Sequence, residues 1–464
     1  MNCRIPLVCI LAFALAAASV SAQAPAPELV TPAIIANPEV KQLDQEGAGK
    51  LFQVGQHLVC VMEGTPEEMG YQHGRLLAKQ IHYVMKEGYV AKALYARGYT
   101  REYIDSQSVR MEKHFPPEYI AEIKGVVKGL KAAGVNDVGY EEIRMAATQA
   151  ELLHHPPNTP PDLQNAKASQ ELPKSCSNFA VWGKWTTDGR LLHGRNLDWP
   201  INNSAQESAA VLVWRPKGGI PGARSDAHPF MMVGWAGAIG SVSGMNSQGI
   251  TIGEMTSSST QESFDGLPLV LIMRRVLDSS KNLDEAVAIM KRGPRTTGWN
   301  FIIGDGKAPA ARALEVDAVD CEVFAPMDPK ENAETGHWAM EDAIRRTNHP
   351  CGLGQIYKLI DRYGKQFNIS RDNFQAAITL LKLQNTWQRY DWLGKQIQAQ
   401  PGKIDVPQAL QLLANGPVKN NSTLHSWVLD PKNQVMYLAN AGVNPPVTAS
   451  ETPYTKINLA PWFK

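Results

Sequence analysis

From Glu67 to Val84, from Pro117 to Leu130 and from Tyr140 to Leu153, apolar residues recur at helix spacing. That spacing predicts three helices and a helical character for residues 51–153 as a whole. LVCVM around Cys60 interrupts it as a strand-like run, which predicts a buried rather than a reactive thiol. Residues 23–50 are Pro- and Ala-rich at their start and read as a poorly ordered lead-in. Residues 154–175 (HHPPNTPPDLQNAKASQELPKS) carry five Pro and almost nothing to bury, so they read as an exposed linker open to processing. On that reading His154 and His155 are solvated, because adjacent His in a Pro-rich segment do not easily face one metal ion together.

Beyond residue 175 the period changes to that of strands. Ser177–Trp185, Arg190–Asp198 and Ala209–Arg215 are short β-type runs, the first two joined by the Asp188-Gly189 turn. Further strands are predicted at 231–235, 239–245, 250–254, 301–304 and 312–316. Helices are predicted at 268–278 and 283–291, the second opened by Asn282 with Glu285 at its third position. Helices return at 354–364, 371–383 and 406–415, and a closing hairpin fits 424–440. Runs of strands with grouped helices argue for an α+β layered sandwich, not a doubly wound sheet.

The N-terminus adds a destination. Arg4, an apolar run from Ile5 to Ala18, and Val20-Ser21-Ala22 predict a signal peptide cut after Ala22, hence a secreted or periplasmic protein. The run is too short to span a bilayer comfortably, and no later stretch predicts an integral membrane segment. A net charge of +1 over 464 residues gives no bulk electrostatic reason to bind nucleic acid. Six Cys are too few for a disulfide scaffold. A Cys321–Cys351 disulfide stays open, since spacing does not decide it.

Phosphate-loop, dinucleotide, zinc-protease and nucleophile-elbow signatures are absent, and no cofactor or metal is implied. GDGK at Asp305 lacks the oxygen ligands of a calcium loop, so a tight turn is expected there. Cys176 is different. It stands where the linker meets the first strand, between Ser175 and Ser177. A cut between Ser175 and Cys176 would put a thiol and a free α-amine on one residue, and such an amine, with a pKa of about 8, can take the thiol proton. Hairpin pairing through Asp188-Gly189 brings Arg195 and Asp198 beside Cys176, where the Arg favours the thiolate and the Asp orients the amine.

The run CSNFAVWGKWTTDGRLLHGRNLDW resembles the N-terminal-nucleophile cysteine hydrolases. Within them it looks most like the acyl-coenzyme A:6-aminopenicillanic acid acyltransferase family, whose relatives are bile salt hydrolase, penicillin V acylase and acid ceramidase. GTPEEMGYQHG (64–74) and EIKGVVKGL (122–130) resemble motifs of that family's pro-segment. GMNSQGITI (244–252), WNFIIGD (299–305) and Arg346-Thr347-Asn348-His349-Pro350 resemble motifs of its catalytic part, in the same order.

The resemblance implies a four-layer αββα sandwich with a helical N-terminal pro-segment. It divides the chain into signal peptide (1–22), pro-segment (23–153), linker (154–175) and catalytic domain (176–464). It implies that Cys176 is the nucleophile, that Ser175 and Cys176 flank a self-cleavage, and that Arg195, Asp198 and Asn348 serve the site. His349 reads as structural. Glu254, Thr256 or a backbone N–H is left open as a second oxyanion donor. Arg389 or Arg362 stays open as a late Arg, each read here as an ordinary surface residue. The implied partners are a small N-acyl amide substrate and the chain's own pro-segment as an associated subunit. The implied activity is a secreted amidohydrolase working through a thioester. Acyl transfer to an amine, a catalytically silent binding protein of the same fold, and an unprocessed Cys hydrolase using His193 or His349 as base are the alternatives.

Overall fold

The computed structural model describes residues 29–160, 175–201, 204–218, 227–240 and 242–464. The expected signal peptide and residues 161–174 of the expected linker lie outside the described residues. The first strands are β1 (Ile34–Ile35), β2 (Val40–Glu46), β3 (Gly49–Val54) and β4 (His57–Gly64). Two expectations are corrected there. Residues 34–50, read as a poorly ordered lead-in, carry β1, β2 and the start of β3. Residues 49–64 form a hairpin whose Val59, Cys60, Val61 and Met62 are all buried because β4 is covered on both faces. Helices follow as α1 (Pro66–Leu76), α2 (Ala78–Lys86), α3 (Tyr89–Leu94), α4 (Arg101–Glu112), α5 (Pro117–Ala132) and α6 (Tyr140–Leu152). Thr65 and Glu68 cap α1 reciprocally, with Pro66 in its first turn.

The second part runs β5 (Ser177–Gly183), β6 (Gly189–Asp198), β7 (Ala209–Pro216), β8 (Phe230–Trp235), β9 (Ser243–Asn246) and β10 (Ile250–Thr256). Next come α7 (Leu269–Ser279), α8 (Leu283–Lys291), β11 (Trp299–Asp305), β12 (Ala310–Val316), β13 (Cys321–Phe324) and β14 (Ala343–Arg346). The chain ends with α9 (Leu353–Tyr363), α10 (Gln375–Lys382), α11 (Asn385–Gln398), α12 (Val406–Ala414), β15 (Thr423–Asp430), β16 (Val435–Asn440), β17 (Gly442–Val443), β18 (Pro446–Val447) and β19 (Tyr454–Asn458).

Two large sheets result. One has the order β1-β19-β16-β15-β6-β5-β14, the other β13-β12-β11-β10-β9-β8-β7-β4-β3-β2. They pack face to face: Val59, Val211, Val213 and Met231 of the second sheet share a core with Trp427, Leu429 and Leu438 of the first. The alternate residues of the same strands, Cys60, Leu212 and Trp214, face the other way into the core built by α1 to α7. Val181, Leu192 and Val428 turn outward from the first sheet against α11 and α12. This is the αββα sandwich, and it explains why AAVLVW in β7 reads as continuously apolar: both faces of the strand are buried. Among the described residues no helix is long and apolar enough to cross a membrane.

The described part of the chain before residue 161 is built into this sandwich. β4 pairs with β7 in parallel, Leu58 opposite Ala210 through Gly64 opposite Pro216, so β2, β3 and β4 complete the ten-stranded sheet. α1 and α5 cross at Gly70, Gly74, Gly125 and Gly129, where backbone meets backbone. Glu122 on α5 accepts from Trp214 of β7 at 2.7 Å and pairs with Arg274 of α7. Glu151 on α6 accepts the Leu269 amide at the start of α7 at 2.6 Å.

A methyl group on Gly74 would stand 2.1 Å from the Val126 carbonyl oxygen, so Gly74→Ala has to separate two helices. Overpacking of this kind costs about 1–3 kcal/mol. Thermal unfolding should show Gly74→Ala lowering the Tm, whereas Gly354→Ala in α9, whose nearest contact would be 3.8 Å away, leaves it unchanged or raises it.

Candidate active site

Cys176 stands one residue before β5 and is buried. The β5–β6 hairpin pairs Ser177 with Asn196 and Asn178 with Arg195, so the end of β6 lies beside the thiol. Cys176 Sγ is 4.0 Å from the Asp198 carbonyl oxygen. Asp198 accepts from Thr423 Oγ1 at 2.7 Å through one carboxyl oxygen, and its other, Oδ2, is buried with no partner. Burial pushes the Asp198 carboxyl up to about 7, against the Thr423 hydrogen bond and the charges of Arg389 and Arg195. The Cys176 thiol is pushed up to about 12 by burial, against the pull of Arg195. In the uncut chain it is therefore a thiol at neutral pH.

Arg195 leaves β6 of the first sheet and crosses to the second. Its Nε donates to the Glu254 carbonyl at 2.7 Å, Nη1 to Ser243 Oγ at 2.7 Å and Nη2 to Glu254 Oε1 at 2.6 Å. Gly253 makes the crossing possible, since a Cβ there would stand 2.9 Å from Arg195 Cδ. Glu254, left open above as an oxyanion donor, is the carboxyl that receives this guanidinium. Burial pushes Glu254 up to about 7 despite Arg195, and its Oε2 has no partner.

Asn348 follows β14 and is buried. Its side-chain amide donates to the Thr256 carbonyl at 2.8 Å, and its Oδ1 accepts from Arg389 Nη2 at 3.0 Å. Reading Arg389 as a surface residue is thereby corrected. It is fully buried, reaches the Cys176 carbonyl oxygen and donates to Ser177 Oγ at 3.0 Å. One guanidinium thus joins the nucleophile candidate to Asn348, the use for which its planar fork suits it. Asn385 and Thr386, one helical turn earlier on α11, complete the clamp: Asn385 Oδ1 accepts from Arg389 at 2.8 Å, and Thr386 Oγ1 from the Asn348 amide at 2.9 Å. The spacing of Asn385 and Arg389 was the one signal for this in QNTWQRYDW. Arg362, the other candidate, is half-buried on α9.

Neither alternative base serves the thiol. His193 bonds Thr251 Oγ1 and Asn178 Oδ1, each at 2.7 Å, and burial lowers it to about 3. His349 bonds His337 and Thr386. The expectation of solvated His154 and His155 is also corrected. Both are buried, with His155 Nε2 2.9 Å from Glu262 Oε2. Although burial works the other way, the two His hold Glu262 down to about 2. The packed N-terminal part therefore reaches past α6 to His155. All four described Cys are free, Cys321 and Cys351 included, and Cys60 is buried as expected.

Cys176 opens on a small pocket lined by Asp198, Glu254 and Thr256 on its polar side. Ala146, Ala150 and Leu153 of the pro-segment, with Val242, Val270, Trp199, Trp235 and Trp299, make the rest apolar. Trp182 and Trp185 belong to the protein core instead.

Residues 185–442 match the sequence model of the family described as acyl-coenzyme A:6-aminopenicillanic acid acyl-transferase. An uncharacterized protein of Archaeoglobus fulgidus is 28% identical over 295 residues, 60% of this chain and 47% of that protein. Protein dcd1B of Dictyostelium discoideum is 24% identical over 298 residues, 61% of this chain and 55% of that protein. The chain thus spans about half the length of these curated relatives. Among solved structures, the Caenorhabditis elegans N-acylethanolamine-hydrolyzing acid amidase ortholog aligns with a TM-score of 0.36 at 14% identity, over 55% of this chain and 93% of that one. Penicillin V acylase from Agrobacterium tumefaciens aligns with a TM-score of 0.37 at 13% identity, over 61% of this chain and 86% of that one. Likeness at that level carries no argument about the reaction.

Because the Asp198 carboxyl is raised in the fold from its ordinary 3.8 to about 7, its contribution to stability is fully present below the ordinary value and is lost as pH rises through 7. One such group changes stability by at most about 1.4 kcal/mol per pH unit. Urea unfolding of wild type and Asp198→Asn should therefore diverge above about pH 4, with the variant gaining relative to wild type until the curves run parallel above pH 7. Parallel curves throughout would mean that Asp198 is already ionised in the fold at low pH.

Proposed function

The chain belongs to the acyl-coenzyme A:6-aminopenicillanic acid acyl-transferase family, and from that premise we propose that it is a self-processing cysteine hydrolase. Its substrate is an N-acyl amide with an apolar acyl group. The observation that carries this is the clamp of Arg389 on both the Cys176 carbonyl and Asn348, with Cys176 itself in the lining of a mostly apolar pocket. A silent binding protein has no use for two unpartnered buried carboxyl oxygens around a buried thiol, since each costs free energy to keep there.

In the first stage the Cys176 thiol attacks the carbonyl carbon of Ser175. The acyl group moves from nitrogen to sulfur, and water cleaves the thioester to leave a carboxyl on Ser175 and a free amine on Cys176. In the second stage that amine takes the thiol proton, with Asp198 Oδ2 accepting a hydrogen bond from the amine. The thiolate attacks the substrate carbonyl, and the oxyanion is held by the amide N–H of Asn348 that Thr256 does not use. The amine returns the proton to the leaving nitrogen, and water or an amine acceptor releases the acyl group. Ala146, Ala150 and Leu153 make the pro-segment one wall of the acyl pocket, so the severed segment stays as a subunit. Export under the predicted signal peptide completes the proposal.

Intact mass of the purified protein should give two fragments divided between Ser175 and Cys176, and Cys176→Ala a single chain without activity. The two fragments should co-elute without denaturant, because β4 lies hydrogen-bonded along β7. Processing of Cys176→Ala at the same bond by the pure protein would overturn the mechanism. Added hydroxylamine should yield the hydroxamate of the acyl group, and its rate relative to hydrolysis separates transfer from hydrolysis. Arg389→Lys keeps the charge and loses the fork, so hydrolysis of an N-acyl amino acid should fall about 100-fold through misplaced groups, mainly in kcat.

A further inference from the structure

The loop 325–342 and the segment after β14 meet in a buried cluster outside the pocket, made of His337, His349 and Cys351. The two imidazoles face each other through Nε2 at 3.0 Å, and one ring nitrogen of each lies within 4.8 Å of the other and of the Cys351 sulfur. From this convergence we propose that His337, His349 and Cys351 bind one thiophilic d10 metal ion, Zn²⁺ or Cu⁺. Two nitrogens on one tetrahedral ion stand about 3.3 Å apart, from metal–nitrogen bonds of about 2.0–2.1 Å. The rings therefore need to part by only a few tenths of an ångström. Two imidazoles and a thiolate suit zinc or copper and not calcium or magnesium, which take oxygen ligands.

The surroundings are those of a built site. His349 Nδ1 lies 2.9 Å from Thr386 Oγ1 and 3.2 Å from Thr347 Oγ1, which leaves Nε2 as its ligand atom. Asn300 of β11 donates to the His349 and Thr347 carbonyls, each at 2.9 Å. Glu315 of β12 accepts the Cys351 amide at 2.8 Å and the Gly352 amide at 3.0 Å. Two strands of one sheet thus hold the backbone of two ligands rigidly. The nearby Arg346 is paired with Glu315 and Glu331 and so does not oppose a cation alone. Binding exchanges the Cys351 thiol proton for the ion and releases it to solvent, with no change in oxidation state.

Such an ion would tie His337 to the segment that carries Asn348, one residue before His349. It is a positioning device, and the metal site stands whether or not the proposed reaction does. The sequence held no motif for it, since eleven residues, a strand among them, separate His337 from His349.

The test uses the full-length purified protein. Elemental analysis after exhaustive dialysis, or after incubation with Zn²⁺ or with Cu⁺ under reductant, should find about one equivalent, and which ion is retained separates the two. Cys351→Ser and His337→Gln should each lose it at least tenfold, and Cys321→Ser and Cys176→Ala should keep it. Co²⁺ added to metal-stripped wild type should give a thiolate-to-cobalt absorption band, present in Cys176→Ala and missing in Cys351→Ser. That band is read on wild type and holds even if a variant fails to fold. Folded wild type that takes up none of the three ions, or Cys351→Ser that retains metal, overturns the proposal.

Discussion

The parallel pairing of β4 with β7 is the contact on which the rest of the molecule depends. Without it the second sheet ends at β7, whose outer edge would present a row of unpaired backbone groups. With it, α1 is carried onto the sheet, and α1 in turn receives α5 through the Gly70, Gly74, Gly125 and Gly129 crossing. α5 delivers Glu122 to Trp214 and Arg274, and α6 delivers Glu151 to the start of α7 and Ala146 and Ala150 to the pocket wall. The segment before the linker is a structural layer.

The second constraint is electrostatic. Arg195 and Arg389 are both buried, and each is held by several acceptors from different elements. Arg195 links the two sheets, and Arg389 links α11 to β5 and to the segment after β14. Buried guanidinium groups of this kind persist only when their donors are matched, because desolvation otherwise outweighs the attraction. Around them Asp198 and Glu254 each keep one carboxyl oxygen without a partner. Each such oxygen costs free energy to keep buried, so this corner of the pocket is held together by the rest of the fold.

Several motifs that looked functional in the sequence turn out to be clips. Asn246 of GMNSQG accepts the Gln248 and Ile250 amides and donates to the Leu277 and Ser280 carbonyls, fastening the β9–β10 turn to the end of α7. Asn300 of WNFIIGD holds the backbone on either side of Asn348. Asp305 accepts the Lys307 and Ala308 amides in the tight turn expected of it. His73 of GYQHG accepts the Gly237 amide at 3.0 Å, so α1 steadies a loop at the pocket rim. Patterned spacing identified these residues, but only their partners distinguish a clip from a catalyst.

The strands and most helices were legible because burial on one or two faces imposes periods of 2 and 3.6 on the chain. So was the neighbourhood of Cys176, Arg195 and Asp198, because a hairpin fixes its own register locally. Residues 34–50 were misread as a poorly ordered lead-in and 51–56 as the start of a helical region, and the depth of His154 and His155 was missed, because each depends on surface supplied by distant chain. Arg389, a candidate that was read as a surface residue, was misplaced for the same reason: its burial comes from β5 and from Asn348, two residues past β14. Local order determined which atoms stand beside the thiol along its own hairpin. Tertiary packing alone decided which distant charges and walls close around it.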